Sequence, residues 1–398
     1  MTGMPCISAD SHIVEPAHIY DGLVEKYGEQ APQIKPDPQG RRGPYKVVGD
    51  KRMPIGRFGI AGHDANDPDI DTLIARGYGA FRPGVLDPAE RLKDQAIDGV
   101  SAEVIYPSLC MLTGAAEDAA LSLEIARRYN DWLAEYCGHA PNRLIGAASI
   151  PLRNVADGVR ELQRAVKLGL KGAVIWCTAP GERPYGDPAY DRFWAAAAEA
   201  ETPVTFHIFT GADGMQMRLP ADWDPVLHYA LSHTAAEVTL ATLLTSGVLE
   251  RHPRLKIVAA EFDTGWVAHF LARLDFAVHR TVGHPAQKLP LTPSEYFRRQ
   301  CWITFEDDAI GVQTRDFIGV DRLMWGNDYP HHDSLWPESQ EVLRRLFAGV
   351  PAADRRKMTC ETVASLYGIV VPPRPHPPVR SSGLRTSGRG DPGTAVRG

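Results

Sequence analysis

Two short stretches at opposite ends of the chain constrain the fold more than anything between them. The first is Cys6-Ile7-Ser8-Ala9-Asp10-Ser11-His12, an apolar run leading into Asp-x-His. The second is Trp325-Gly326-Asn327-Asp328-Tyr329-Pro330-His331-His332-Asp333, directly after the strand-like Arg322-Leu323-Met324. Strand side chains alternate between faces, so Asp10 and His12 project from the same one. Asp328 sits where a buried strand ends. Carboxylates and imidazoles are thus placed at two strand ends that can meet only if the sheet between them closes.

The intervening chain supplies that sheet. Beyond the first, strands are expected at Ala102–Pro107, Leu144–Ile150, Gly172–Trp176, Pro203–His207, Leu255–Glu261, Cys301–Phe305 and Arg322–Trp325. Helical periodicity falls between nearly all of them, over Pro88–Asp98, Ala116–Gly138, Val155–Leu168, Pro188–Ala200, Ala230–Glu250 and Gly265–Val278. A last helical pair covers Ser339–Leu346 and Ala352–Tyr367. Strands alternating with helices imply a parallel sheet with crossovers, and eight such units imply an α/β fold of the (β/α)8 TIM-barrel type. Neither GxGxxG after the first strand nor GxxxxGK[ST] occurs, which removes the usual nucleotide-binding reasons for an open sheet.

Domain boundaries follow from composition. Residues 1–371 read as one barrel, within the size that such barrels reach by insertion although the chain has 398 residues. From about 16 to 85 the sequence is rich in Gly, Pro and Asp without a sustained period, an irregular insertion after strand one. So long a loop at the carboxyl end of a barrel strand reads as a lid, with Arg52, Arg57 and Arg82 as candidate substrate contacts. From residue 372 to 398, Pro, Gly, Ser and Arg replace large apolar residues, and a disordered tail is expected.

A formal charge of -6 and a pI near 6.2 provide no basic field for nucleic acid or an anionic membrane, so neither partner is expected. No apolar run approaches bilayer length and no signal precedes the first strand, so the expected location is cytoplasmic. The six cysteines stand singly, without a CxxC pair, and read as buried thiols. The expected partner is a small-molecule substrate, and a homodimer is left open.

Carboxyl ends of barrel strands converge on one mouth. Here they bring Asp10 and His12 from strand one, His207 from strand five, Glu261 from strand six and Asp328 from strand eight. Neutral imidazoles mixed with carboxylates suit a divalent transition metal, zinc first, with iron or manganese as alternatives, and are too rich in nitrogen for calcium or magnesium. His331, His332, Trp302 and Arg57 are the expected substrate contacts. Plainer roles compete with these. Asp10 and His12 could form only a strand-end hydrogen-bond pair, Glu261 could pair with Arg273 or Lys256, and one of His331 and His332 could be a loop histidine. His233 and Glu237, four apart on a helix, read as a surface or packed pair.

With these residues in place the chain resembles a known family. Asp-Ser-His-Ile-Val-Glu-Pro at 10–16, Pro-Val-Thr-Phe-His at 203–207 and Trp-Gly-Asn-Asp-Tyr-Pro-His at 325–331 resemble the amidohydrolase superfamily. The nearer branch holds aminocarboxymuconate semialdehyde decarboxylase and related aromatic-acid decarboxylases. The resemblance spans roughly residues 5–370 and implies the distorted (β/α)8 barrel, with Asp10, His12, His207 and Asp328 as metal ligands and Asp328 also handling a proton. Strand four ends in Ile175-Trp176-Cys177, without the lysine that bridges two metals in some members. Strand six ends in Glu261 where the similar decarboxylases carry a histidine, so Glu261 is read as a general acid/base, a further ligand, or part of a second metal site with His331 or His332.

Three functions follow. The first is hydrolysis or decarboxylation of a carboxylate-containing or cyclic small molecule, with Asp328 and Glu261 moving protons and the metal activating water. The second is a non-haem, di-iron monooxygenase of a biosynthetic pathway on the same barrel. The third is an inactive barrel acting as a binding subunit.

Overall fold

The computed structural model describes residues 4–36, 44–48, 51–63, 66–110, 118–181, 183–211 and 225–373. Its centre is an eight-stranded parallel sheet: β1 Ile7–His12, β5 Ala102–Tyr106, β6 Leu144–Ser149, β7 Gly172–Trp176, β8 Val204–His207, β9 Ile257–Ala260, β10 Cys301–Phe305 and β11 Leu323–Trp325, paired in that order. A separate antiparallel sheet joins β2 Gln33–Lys35, β3 Tyr45–Val48 and β4 Lys51–Pro54. The barrel closes where the end of β11 meets β1: the backbone N–H groups of Asn327 and Asp328 both donate to the Asp10 carbonyl, at 3.2 and 3.0 Å. Gly326 permits this approach, because a Cβ there would lie 2.4 Å from that of Asp10. This is the expected (β/α)8 barrel.

Alternation divides the strands. Ala102, Val104, Tyr106, Ile145, Ala147, Val174, Val258, Ala260 and Met324 fill the barrel interior with Ile7 and Ala9, while Ile105, Ile175, Phe206, Ile303, Phe305 and Trp325 face the surrounding helices. A fully buried side chain of this size contributes roughly 1.5–3 kcal/mol. β1 departs from strict alternation. Ser8 pairs with Glu103 but Ser11 with Ile105, so an extra residue is accommodated between them. This bulge changes the parity of the strand, and Asp10 and His12 point inward although Ile7 and Ala9 do so below them.

Helices begin where the sequence supplies caps. Asp87 accepts the N–H groups of Ala89 and Glu90 ahead of Pro88–Asp98, Asp118 caps Ala119–Gly138, and Asn154 caps Val155–Lys167. The expected helix over Ala230–Glu250 is interrupted: His233–Thr245 and Val248–Arg251 are separated at Gly247, whose φ of 80° breaks the run. At the amino-terminal end of the barrel the helix Thr362–Tyr367 forms a floor, with the Tyr367 hydroxyl 3.1 Å from that of Tyr106.

The segment after β1 has more regular structure than its sequence suggests, since three short strands and several short helices lie between residues 17 and 85. Elements of three to seven residues are too short to show a hydrophobic period. The segment is tied to the mouth. Lys46, buried, donates to the Leu109 carbonyl at 2.5 Å, the Ala61 N–H donates to Pro330 at 3.0 Å, and the His332 N–H to Arg57 at 3.0 Å. Of the expected tail, 372 and 373 are described and the rest lies outside the described residues. All six cysteines are buried and none forms a disulfide. Among the described residues no helix is long and apolar enough to cross a membrane.

Candidate metal centre

The strand ends bring the expected ligands together. One donor atom from each of Asp10, His12, His207 and Glu261 lies within 4.8 Å of every other, and the same holds for His12, Glu261, Asp328 and His331. His12 Nε2 is 3.5 Å from Asp10 Oδ1 and 3.3 Å from Asp328 Oδ1. His207 Nε2 is 3.4 Å from Asp10 Oδ1 and 3.3 Å from Glu261 Oε2.

The hydrogen bonds outside the cluster fix which nitrogen faces in. His12 Nδ1 lies 2.9 Å from the Pro107 carbonyl and His207 Nδ1 3.3 Å from that of Ile208. A carbonyl only accepts, so each Nδ1 carries the hydrogen and each Nε2 presents its lone pair to the cluster. Thr304 donates to Asp10 Oδ2 at 2.8 Å, which leaves Oδ1 turned inward. Two atoms there have no hydrogen-bond partner, His12 Nε2 and Asp328 Oδ1, and both are buried. Buried polar atoms left unpaired are costly, so lone pairs converging on one point fit a bound cation.

Electrostatics point the same way. Burial, followed by the charge of Asp328, pushes the Glu261 carboxyl well above the usual range, and burial followed by Asp333 does the same for Asp328. Burial, then His331, lowers His12 to about 3. For Asp10 the effect of burial is outweighed by His207 and His12, and its pKa falls. Carboxylates crowded in a dry site repel one another, and a divalent cation reverses that balance. The backbone carries strain at the same place: φ is 63° at Glu261 and 52° at Asp328, a region costing about 1–3 kcal/mol for residues other than glycine.

The remaining expected residues separate. His331 joins the cluster, with Nδ1 3.0 Å from Asp328, its ring stacked at 4.2 Å on His12, and Phe58 edge-on at 5.2 Å. His332 faces Asp333 at 3.2 Å. The Arg57 side chain is exposed beside the mouth, and the Arg52 side chain lies outside the described residues. Trp302 is not a mouth residue. It is the second residue of β10, level with Val258, and its indole donates to Asp321 beneath the Arg322 guanidinium. The sequence placed it near a strand end correctly, but at the amino-terminal one. Arg82 pairs with Asp94 at 2.5 Å. Glu261 pairs with neither Lys256, which meets Glu201, nor Arg273, which lies over Phe276. His233 and Glu237 form a partly exposed pair at 3.8 Å.

Sequence reasoning missed Thr304, Ser108 and Glu306. Thr304 could have been found from the alternation of Trp302 and Thr304 on one face of β10. Glu306 follows β10 directly, and burial together with Asp328 and Asp333 raises its pKa well above the ordinary value.

A (β/α)8 barrel that gathers imidazoles and carboxylates at the carboxyl ends of its strands belongs to the metal-dependent barrel enzymes. The chain is a member of the amidohydrolase family, whose model matches residues 83–369. It is 30% identical over 251 residues to gamma-resorcylate decarboxylase of Rhizobium radiobacter, covering 56% of this chain and 72% of that enzyme. An amidohydrolase of Mycobacterium avium subsp. paratuberculosis K-10 superposes with a TM-score of 0.76 at 23% identity, over 92% of this chain and 98% of the other. A dihydroxybenzoic acid decarboxylase of Polaromonas sp. JS666, with bound manganese and 2-nitroresorcinol, gives 0.64 at 19% identity over 92% and 97%.

Proposed function

We propose that the protein is a metal-dependent decarboxylase of a small aromatic carboxylic acid. The observation that carries this is Asp328 Oδ1, buried without a hydrogen-bond partner and 3.3 Å from His12 Nε2, where a substrate held at the cluster must lie against it. The kinship with gamma-resorcylate decarboxylase supports a ring acid as substrate.

Asp10, His12, His207 and Asp328 would hold the ion, with Glu261 beside them. A bound divalent metal supplies positive charge that anchors a substrate oxygen and offsets the surrounding carboxylates. Manganese joins zinc as a candidate because the Polaromonas decarboxylase holds it. In the reaction the bond between ring carbon and carboxylate breaks, its electron pair stays on the ring, and carbon dioxide leaves. The Asp328 carboxyl gives its proton to that ring carbon and recovers one from solvent. Glu261, 3.3 Å from His207, orients the ring hydroxyl groups, and the segment carrying Arg57 and Phe58 excludes water.

A second reading, a di-iron monooxygenase, is favoured by the second donor group, which adds Asp328 and His331 to shared His12 and Glu261. One experiment separates the two. Protein loaded with manganese, zinc or iron is given gamma-resorcylate and a panel of hydroxybenzoic acids, and carbon dioxide and dioxygen are followed. Anaerobic release of carbon dioxide with the matching phenol is expected. Dioxygen consumption by the iron form with no decarboxylation would replace the first reading by the second.

A further inference from the structure

Glu15 stands in the motif Asp10–Pro16, yet nothing in the cluster's chemistry uses it. It is fully buried. Its carboxylate accepts three consecutive backbone N–H groups, from Ser108 at 3.1 Å, Leu109 at 2.8 Å and Cys110 at 2.9 Å. Three such bonds fix the turn that follows β5. The first residue of the turn reaches the site: the Ser108 hydroxyl, on a residue 1% exposed, lies 2.8 Å from His331 Nε2. The other ring nitrogen of His331, Nδ1, lies 3.0 Å from Asp328 Oδ2.

We propose that Glu15, Ser108 and His331 form a positioning relay that holds Asp328 with Oδ1 aimed into the cluster, and that the Ser108 hydroxyl selects the tautomer of His331. An ionised carboxylate only accepts, so Nδ1 carries the hydrogen opposite Asp328. In a neutral ring Nε2 is then an acceptor, and of its neighbours the Ser108 hydroxyl can supply the proton. His12, stacked at 4.2 Å, and Phe58, edge-on at 5.2 Å, already hold the plane of the ring. The orientation is therefore set by packing, and the position of the hydrogen is what Ser108 decides. The opposite tautomer would set the Nδ1 lone pair against Asp328 and push the carboxylate away. Both nitrogens of His331 are engaged within the protein in this arrangement, which leaves Asp328 Oδ2 tied and Oδ1 available. Ser108 is a positioning residue, since it acts on the reacting carboxyl only through His331.

The kinetic consequence rests on the decarboxylase reading, whereas the tautomer does not. Protein labelled with 15N-histidine and loaded with zinc, which is diamagnetic, is examined by NMR, and His331→Gln identifies the His331 signals by their loss. Wild-type protein should show a protonated Nδ1 and an unprotonated Nε2. Ser108→Ala should give a mixture of tautomers, with kcat down about 10–100-fold and both KM and bound metal unchanged. Ser108→Thr, which keeps the hydroxyl, should restore the single tautomer and the rate. Ser108→Cys, similar in size with a weaker donor, makes the same test if the alanine variant does not fold. A single unaltered tautomer in either the alanine or the cysteine variant would overturn the relay. Absence of turnover on any ring acid would overturn the decarboxylase reading alone, because the spectrum still decides the tautomer.

Discussion

Thr304 donates its hydroxyl hydrogen to Asp10 Oδ2 at 2.8 Å, and the same oxygen accepts the backbone N–H of Glu261 at 2.7 Å. One side chain on β10 therefore fixes a carboxylate from β1 and the strained residue that ends β9. Thr304→Val keeps the shape and removes both bonds. Metal affinity is expected to fall about 10–100-fold, the usual effect of losing a partner that orients a ligand. Competition with a chelating dye measures it, and unchanged affinity would mean that Asp10 is oriented by other contacts.

His207→Ala should remove the ion rather than merely weaken it. His207 Nε2 stands between Asp10 and Glu261, at 3.4 and 3.3 Å, so its loss leaves carboxylates facing one another. The purified variant should carry much less metal per chain and show no turnover. Elemental analysis with full metal content would remove His207 from the ligand set.

Gly326→Ala tests the closure of the barrel. The added Cβ would lie 2.4 Å from that of Asp10 and 3.0 Å from the Asp10 backbone nitrogen, so β1 and the end of β11 must separate. Overpacking of this kind costs about 1–3 kcal/mol. A lower urea midpoint together with weaker metal binding is expected. A stable variant with full metal would show that the seam has room to move.

The barrel was legible because its strands and helices repeat strongly enough to place the strand ends, and those ends carry the ligands. What the sequence hid has local causes. The bulge in β1 reverses parity between Ala9 and Asp10, and no residue type announces it. Trp302 was read near the mouth, but only three-dimensional register shows it two residues below the strand's carboxyl half, in line with Val258. Ser108 meets His331 across 223 positions of sequence, a contact with no periodic signature. Short strands in the segment after β1 escaped for want of length.

Asp98 gives a dependence of stability on pH. Burial pushes its pKa from 3.8 up to about 7, against the pull of hydrogen bonds from Ser339 and Asn327, the neighbour of Asp328. The folded state thus holds this proton more tightly than the unfolded state. Its contribution is complete below about pH 4 and is lost as the pH rises through 7. In metal-free protein the stability of wild type relative to Asp98→Asn should be greatest near pH 4 and shrink by pH 8, as read from urea unfolding. A difference that does not vary with pH would place the Asp98 pKa near its ordinary value.

Glu261 decides between one ion with a neighbouring acid and a shared pair of ions. It lies 3.3 Å from His207 and 3.9 Å from His12, near enough to ligate, and its carboxyl is held toward the protonated form by burial and by Asp328. Glu261→Gln keeps the size and one acceptor but cannot exchange a proton at neutral pH. If Glu261 carries a proton or orients the substrate beside a single ion, turnover should fall about 10²–10⁴-fold while metal content holds. If it bridges two ions, the metal-to-protein ratio should drop along with the rate. The relay through Ser108 engages both nitrogens of His331 and so leaves the second ion one donor fewer, which makes the first outcome the expected one. Unchanged rate with unchanged metal would remove Glu261 from the chemistry altogether.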